Sequence, residues 1–190
     1  MKVLIAGTGL GGLSLALALQ RRGIDFTAFD IAQELKPLGV GINLLPHAVG
    51  ELAEFDIIDA IEAASVRTRD LRYVNKFGQH IISELRGRYA GHELSQYSIH
   101  RGTLHGIMLA AVRQRAGADA VREGHGFVSF EQTATPDIWS WQYRIGHHIK
   151  TGRLKAPSRK LALRGVHRKI DHDLRDIHLR TSSSDRAECG

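Results

Sequence analysis

A glycine-rich turn near the start of the chain constrains the fold more than any other feature. The stretch from Lys2 to Ala6 is short and aliphatic, as in a buried parallel strand, and the residues G-T-G-L-G-G follow it. Leu13 to Arg22 then favour a helix, and Gly23 stands where a glycine commonly ends one. A second apolar stretch, from Ile24 to Phe29, comes next. The sequence therefore predicts an α/β fold that begins with a βαβ unit of the Rossmann type.

The spacing of Gly7, Gly9 and Gly12 matches the G-x-G-x-x-G pattern of dinucleotide-binding turns. Gly7 permits a tight turn, Gly9 leaves room for a pyrophosphate beside the backbone, and Gly12 lets the helix approach the sheet. The N–H groups at the start of the helix would then hold the phosphates. Asp30, at the end of the second strand, would accept hydrogen bonds from a ribose hydroxyl. The alternative is a glycine-rich turn that binds nothing.

The same apolar opening raises export or membrane insertion as another interpretation. Four glycines interrupt the apolar run, and Gln20, Arg21 and Arg22 end it without a small-residue cleavage pattern. A membrane-spanning helix needs about 20 apolar residues without such breaks. We therefore expect neither a signal peptide nor a membrane partner. The single cysteine, Cys189, fits a reducing compartment, and we expect the protein to be cytoplasmic.

Between the opening unit and residue 131, the patterns predict a series of shorter elements. They are a loop over Pro37–Pro46, helices over His47–Phe55 and Ile57–Ala64, a β-hairpin of Leu71–Asn75 and His80–Leu85, a helix within Ser98–Arg115, and strands near Ala120–Arg122 and Phe127–Phe130.

The net charge of +6 belongs to the last third of the chain. Residues 131–190 carry 12 Lys and Arg against 7 Asp and Glu, and five of the 11 histidines. No sustained strand alternation is evident there, so we predict two parts, a Rossmann-like region over 1–131 and an atypical basic tail over 132–190. The tail has three interpretations. It is a shifted reading frame, which we favour, or a basic extension that binds nucleic acid or an anionic surface, although such a stretch is more often solvated or disordered. The third is a metal site formed by His147, His148, His167, His172 and His178. The histidine spacings match no standard metal site.

Four stretches of residues 1–131 carry a family resemblance. They read LIAGTGLGGLSLALAL, PLGVGINLLPHAV, LRYVNKFGQ and QYSIHRGTLHGIMLAAVRQRAGADAV. Together they resemble the N-terminal part of the class A flavoprotein aromatic monooxygenases, and within that family the phenazine-carboxylate branch. The resemblance runs in order, without large gaps, from about residue 2 to about residue 131.

The resemblance implies FAD as the cofactor, NAD(P)H as co-substrate and a small aromatic or phenazine-type acid as the molecule hydroxylated. It also implies a set of cofactor-binding residues: Gly7, Gly9, Gly11 and Gly12 at the pyrophosphate, Asp30 at the adenosine ribose where the family often has Glu, Val40 and Gly41 near the flavin, and Arg101 reaching the cofactor. Simpler interpretations stay open. Arg101 would then be a solvated helix residue, Gly39 and Gly41 turn residues, and His100 and His105 packing or surface residues. No catalytic residue and no metal ligand is assigned.

Members of the family continue much further, with D-G and G-D motifs that this sequence lacks. The resemblance therefore implies a truncated Rossmann-type FAD-binding fold with an irregular basic tail. By lineage the chain is the FAD-binding portion of an oxidoreductase. A non-catalytic flavin-binding remnant or interaction protein is the alternative, and a nucleic-acid binder working through the tail is a third function that we do not expect. The oligomeric state is not predicted.

Overall fold

The structure, a computed structural model, describes residues 2–36, 39–132 and 138–155. Its helices are α1 (Leu10–Arg21), α2 (Pro46–Ala53), α3 (Ile58–Ala63) and α4 (Arg101–Ala116). Its strands are β1 (Lys2–Ala6), β2 (Asp25–Phe29), β3 (Gly41–Leu44), β4 (Val66–Thr68), β5 (Asp70–Val74), β6 (His80–Leu85), β7 (Gln96–His100), β8 (Val121–Arg122), β9 (Gly126–Gln132), β10 (Ile138–Ile145) and β11 (His148–Lys155).

The opening βαβ unit forms as the sequence predicts. Strands β1 and β2 pair in parallel, with Val3 opposite Phe26, and β8 extends the sheet beside β2. Helix α1 connects β1 to β2, and it packs together with α4 against the sheet because apolar side chains recur on one face of each helix. The fully buried side chains of this core include Ile5, Leu13, Leu17, Leu104, Met108 and Val112. The predicted α/β architecture is confirmed.

A second sheet joins the segment that follows β2 to the start of α4, because β3 pairs with β7 and β7 leads directly into α4. Strand β7 lies at its centre, antiparallel to both β3 and β4. Two predictions are corrected here. Residues Gly41–Leu44 form a strand within the expected loop, and Ser98–His100 belong to β7, so that the helix begins only at Arg101. Pairing between distant segments overrides the local preference in both cases.

The β5–β6 hairpin forms where it was predicted. The side chain of Asn75 accepts hydrogen bonds from the N–H groups of Phe77 and Gln79 at 2.9 and 3.0 Å, which closes the turn. The predicted helices also form, as α2 and α3, with ends that differ by up to two residues. The two short strands predicted after α4 appear as β8 and β9.

The prediction of an irregular tail is wrong for residues 138–155. Strands β10 and β11 form an antiparallel meander with β9, in the order β9–β10–β11, with Gly146 at positive φ in the turn between the last two strands. The meander is joined to the parallel sheet by ring contacts. The ring of Tyr143 stacks on Phe29 at 5.9 Å and on His125 at 5.4 Å between centroids. The proposed boundary at residue 131 stays a prediction, and residues 156–190 lie outside the described residues.

Candidate nucleotide-binding site

The turn after β1 and the first turn of α1 contain Gly7, Gly9, Gly11 and Gly12, and the structure separates these four glycines into two pairs. Gly7 has a φ of 92°, in the left-handed region that favours glycine, and its N–H donates to the carbonyl of Phe29 at 2.7 Å. A Cβ at Gly12 would lie 2.0 Å from the carbonyl oxygen of Gly7. These two glycines are therefore required by the packing of the chain itself.

At Gly9 and Gly11, by contrast, the packing of the chain does not require a glycine. A Cβ at either position would meet no atom of the described residues within 4 Å, and the backbone of Gly9 (φ −63°, ψ 178°) is open to any residue. Gly9 is also the N-cap of α1, where it has no side chain to accept a hydrogen bond from the first turn of the helix. The room beside these glycines and the N–H groups at the helix start together suit an anionic group.

Asp30 follows β2 directly and turns its carboxylate toward this turn. Its Oδ2 accepts from the backbone N–H of Thr8 at 2.8 Å and from the Thr8 hydroxyl at 2.7 Å, while its Oδ1 accepts from the N–H of Ala32 at 3.0 Å. Burial alone would raise the pKa of Asp30, but the hydrogen bonds from Ala32 and Thr8, together with the nearby His105, lower the pKa overall. The carboxylate therefore stays ionised.

Thr8 and His105 belong to the site although the sequence did not point to them. Thr8 is completely buried, and its carbonyl accepts a hydrogen bond from Nε2 of His105 at 2.7 Å. Their partners lie 22 and 97 positions away in the chain, and no motif spacing connects them. The single usable signal was a small hydroxyl residue between two glycines of the motif.

Val40, Gly41 and Arg101 come together at the start of α4. The backbone N–H of Arg101 donates to the carbonyl of Val40 at 3.0 Å, and Gly41 pairs with His100 across β3 and β7. A Cβ at Gly39 would lie 3.1 Å from the Cβ of Arg101, and the φ of Gly39 is 140°. The side chains of Val40 and Arg101 are both exposed, so this loop presents them to solvent.

Helix α4 links the two groups of candidate residues. Arg101 and His105 are four positions apart and therefore project from the same face of the helix. His105 contacts the glycine turn through Thr8, while Arg101 holds the Val40 loop. The structure thus brings the glycine turn, Asp30 and the Val40–Arg101 loop to one side of the molecule.

Residues 2–36, 39–132 and 138–155 contain neither a metal-binding cluster nor a membrane-spanning helix. No group of three or more His, Cys, Asp or Glu side chains in those ranges is arranged to hold a metal ion. No helix there is long and apolar enough to cross a membrane.

Comparison with curated proteins finds relatives among flavin-dependent hydroxylases. Phenazine 1,6-dicarboxylic acid hydroxylase PhzS from Lysobacter antibioticus is 46% identical over 134 residues, which are 70% of this chain and 33% of that protein. 3-Hydroxybenzoate 6-hydroxylase 1 from Aquipseudomonas alcaligenes is 32% identical over 132 residues, 68% of this chain and 33% of the relative. The chain therefore spans about a third of the length of these relatives. No protein-family model matches it.

Solved structures show the same fold. The p-nitrophenol 4-monooxygenase PnpA from Pseudomonas putida DLL-E4 superimposes with a TM-score of 0.71 at 17% identity, over 81% of this chain and 40% of that one. A Klebsiella pneumoniae HpxO variant complexed with FAD gives a TM-score of 0.63 at 24% identity, over 80% and 38%. These structural matches cover more of the chain than the sequence matches do.

Proposed function

We propose that this chain, a homologue of the FAD-dependent aromatic hydroxylases, is the FAD-binding portion of a monooxygenase that hydroxylates an aromatic or phenazine-type acid with NAD(P)H and O2. One observation carries the proposal. Gly9 and Gly11 border open space at the start of α1, and the packing of the chain gives no reason for a glycine at either position. A ligand that approaches the backbone closely supplies that reason.

The residues present fit FAD. The N–H groups at the start of α1, beside Gly9 and Gly11, would hold the diphosphate, and Asp30 would accept a hydrogen bond from the adenosine ribose. Gly7 and Gly12 keep the turn in shape. On the other side of the site, Val40 and Gly41 would lie toward the flavin, and Arg101 would reach the cofactor.

FAD, when bound, supplies the redox chemistry by which NAD(P)H and O2 are used in the hydroxylation. The contribution of this chain is binding and orientation. The carboxylate of Asp30 is held ionised and fixed by three hydrogen bonds, so it needs little reorganisation to receive a hydroxyl group. The exposed guanidinium of Arg101 offers a positive charge to the cofactor. NAD(P)H and the aromatic acid are the proposed partners of the whole enzyme.

The test is the visible absorption spectrum of the purified chain, with and without added FAD, beside a Gly9→Glu variant. The variant is a sharp control because a side chain at Gly9 meets no described atom within 4 Å, so the fold should be kept while a negative charge enters the phosphate position. We expect flavin absorption bands that co-purify with the wild-type chain or appear on titration, and that are absent from the variant.

Two outcomes would contradict the proposal. If the wild-type chain retains no flavin and FAD gives no rise in its melting temperature, the motif does not form a working FAD site in this chain. If Gly9→Glu binds FAD as tightly as the wild type, the ligand does not use the helix start. Where FAD is bound, oxidation of NADH and NADPH in the presence of phenazine and hydroxybenzoate acids tests the proposed reaction.

A further inference from the structure

Thr8 lies at the centre of the candidate site and makes contact with each part of it through a different group. Its backbone N–H and its hydroxyl both donate to Oδ2 of Asp30, at 2.8 and 2.7 Å. Its carbonyl accepts from Nε2 of His105 at 2.7 Å. Every polar atom of this fully buried residue is thus engaged, and the glycine turn is connected to β2 on one side and to α4 on the other.

These contacts give the two carboxylate oxygens of Asp30 different numbers of hydrogen bonds. An ionised carboxylate has about four acceptor positions, two on each oxygen. Thr8 fills both positions on Oδ2, whereas Oδ1 receives one described hydrogen bond, from the N–H of Ala32 at 3.0 Å. Oδ1 is therefore the oxygen with capacity left for a ligand.

We propose, resting on the function proposed above, that Thr8 is the positioning residue of the FAD site: its hydroxyl holds Asp30 so that Oδ1 is presented to the ribose hydroxyl. This role also explains how Asp30 reaches the ribose at a position where the family often has Glu, whose side chain is longer. A carboxylate on a short stem has few orientations, and two donors from one residue select among them. The hydroxyl is the part of Thr8 that carries this role, because the backbone N–H is common to all residues except proline.

One charged group and two backbone hydrogen bonds surround Asp30 besides the contacts of Thr8. His105 faces the carboxylate from α4, and from the far side the N–H of His125 donates to the Asp30 carbonyl at 2.6 Å. The backbone N–H of Asp30 donates a hydrogen bond to the carbonyl oxygen of Arg122 in β8 at 3.0 Å. Loss of the Thr8 hydroxyl removes one of the donors that keep the pKa of Asp30 low, so the pKa should rise in a variant without it.

The experiment compares Thr8→Val, which keeps the shape and removes the hydroxyl, with Thr8→Ser, which keeps the hydroxyl. The whole chain is titrated with FAD by flavin fluorescence, and the Asp30 carboxyl of the ligand-free chain is titrated by NMR. We expect Thr8→Val to weaken FAD binding about tenfold or more and to raise the Asp30 titration midpoint. Thr8→Ser should stay within about threefold of wild type in binding and leave the midpoint unchanged.

A double-mutant cycle with Asp30→Asn separates positioning from general stability. If Thr8 acts through Asp30, Thr8→Val has little further effect on FAD affinity in the Asp30→Asn background. Equal losses in both backgrounds, or unchanged binding by Thr8→Val, would overturn the proposal while leaving the FAD site intact. A wild-type chain that binds no FAD would overturn the proposed function and this role together. Thermal unfolding is measured first, and Thr8→Ala replaces Thr8→Val if the latter does not fold.

Discussion

The parallel sheet of β1, β2 and β8 and the β5–β6 hairpin differ sharply in what surrounds them. In β2, the four residues from Phe26 to Phe29 are all buried, and Phe26 and Ala28 belong to the apolar core that α1 also lines. In β6, all six residues from His80 to Leu85 are exposed. Large apolar side chains are among the exposed ones in and beside this hairpin: Tyr73, Val74, Phe77, Ile81, Ile82 and Leu85.

The contrast shows that the two regions owe their form to different forces. The parallel sheet is stabilised by burial of apolar surface on both faces, as parallel sheets generally are. The hairpin is specified by its turn and its β-forming residues, since among the described residues little covers its apolar side chains. A substitution should therefore have very different consequences in the two regions.

The largest expected effect tests the close contact between Gly12 and Gly7, beside the parallel sheet. Gly12→Ala places a Cβ 2.0 Å from the Gly7 carbonyl, and backbone atoms must move to relieve the overlap. We expect the free energy of unfolding to fall by about 3 kcal/mol, measured by urea denaturation. Gly11→Ala, in the same helix turn but with open space around it, should change the value by about 1 kcal/mol or less, toward greater stability. Equal effects of the two substitutions would contradict the description of this contact.

Asp30→Asn should cost about 2 kcal/mol near neutral pH, because the carboxylate receives three hydrogen bonds. The pKa of Asp30 is lower in the folded chain than the ordinary value of 3.8. Its contribution to stability is therefore fully present above that value and is lost as the pH falls through the lower, folded pKa. Urea denaturation of both proteins across the acid range checks this, and a difference that persists undiminished at the lowest pH would disprove it.

Tyr143→Leu tests the contact between the β9–β11 meander and the parallel sheet. Removing the ring that stacks on Phe29 and His125 should cost about 1 kcal/mol, while apolar volume is largely kept. Tyr73→Leu is the matched control, since Tyr73 is exposed on the hairpin and should contribute little. Both variants are measured by thermal unfolding. If they lose similar amounts of stability, the ring contacts of Tyr143 do not stabilise the chain more than the exposed ring of Tyr73 does.

The smallest effect on stability is expected at Ile81, whose side chain is 65% exposed on β6. Ile81→Thr keeps a β-branched residue and should change the free energy of unfolding by about 0.5 kcal/mol or less. It should nonetheless reduce self-association in sedimentation velocity runs, because exposed apolar strand surface promotes contact between chains. Ile5→Val, in the core, should cost about 1 kcal/mol without affecting association. A large destabilisation by Ile81→Thr would show that the hairpin is covered after all.

The regions that the sequence predicted well are those whose structure is encoded locally. The strand, the glycine turn and the helix of residues 2–21 lie next to one another in the chain, and their spacing carries the geometry. The hairpin turn was equally readable, because Asn75 and Gly78 have their own turn preferences. The predicted roles of the glycines toward a cofactor stay predictions that the FAD titration addresses.

The predictions failed where distant segments meet. Residues 98–100 continue the helical pattern of α4, yet they pair with β3 and β4, and nothing within a short window reveals that pairing. The role of Thr8 was hidden for the same reason. In β10 the sequence does carry a local signal: aromatic residues at 139, 141 and 143 alternate with polar ones at 140, 142 and 144, which is the period of a strand.

The N-cap of helix α1 is Gly9, a residue with no side chain to cap the helix. Ser, Asp and Asn are favoured at this position because their side chains accept a hydrogen bond from the first turn of the helix. Here an anion at the helix start would complete that turn, which makes ligand binding and the local ordering of the helix a single thermodynamic event. Fraying of α1 should therefore depend on ligand concentration, and amide hydrogen exchange at Leu10, Gly11 and Gly12 should slow as the site fills.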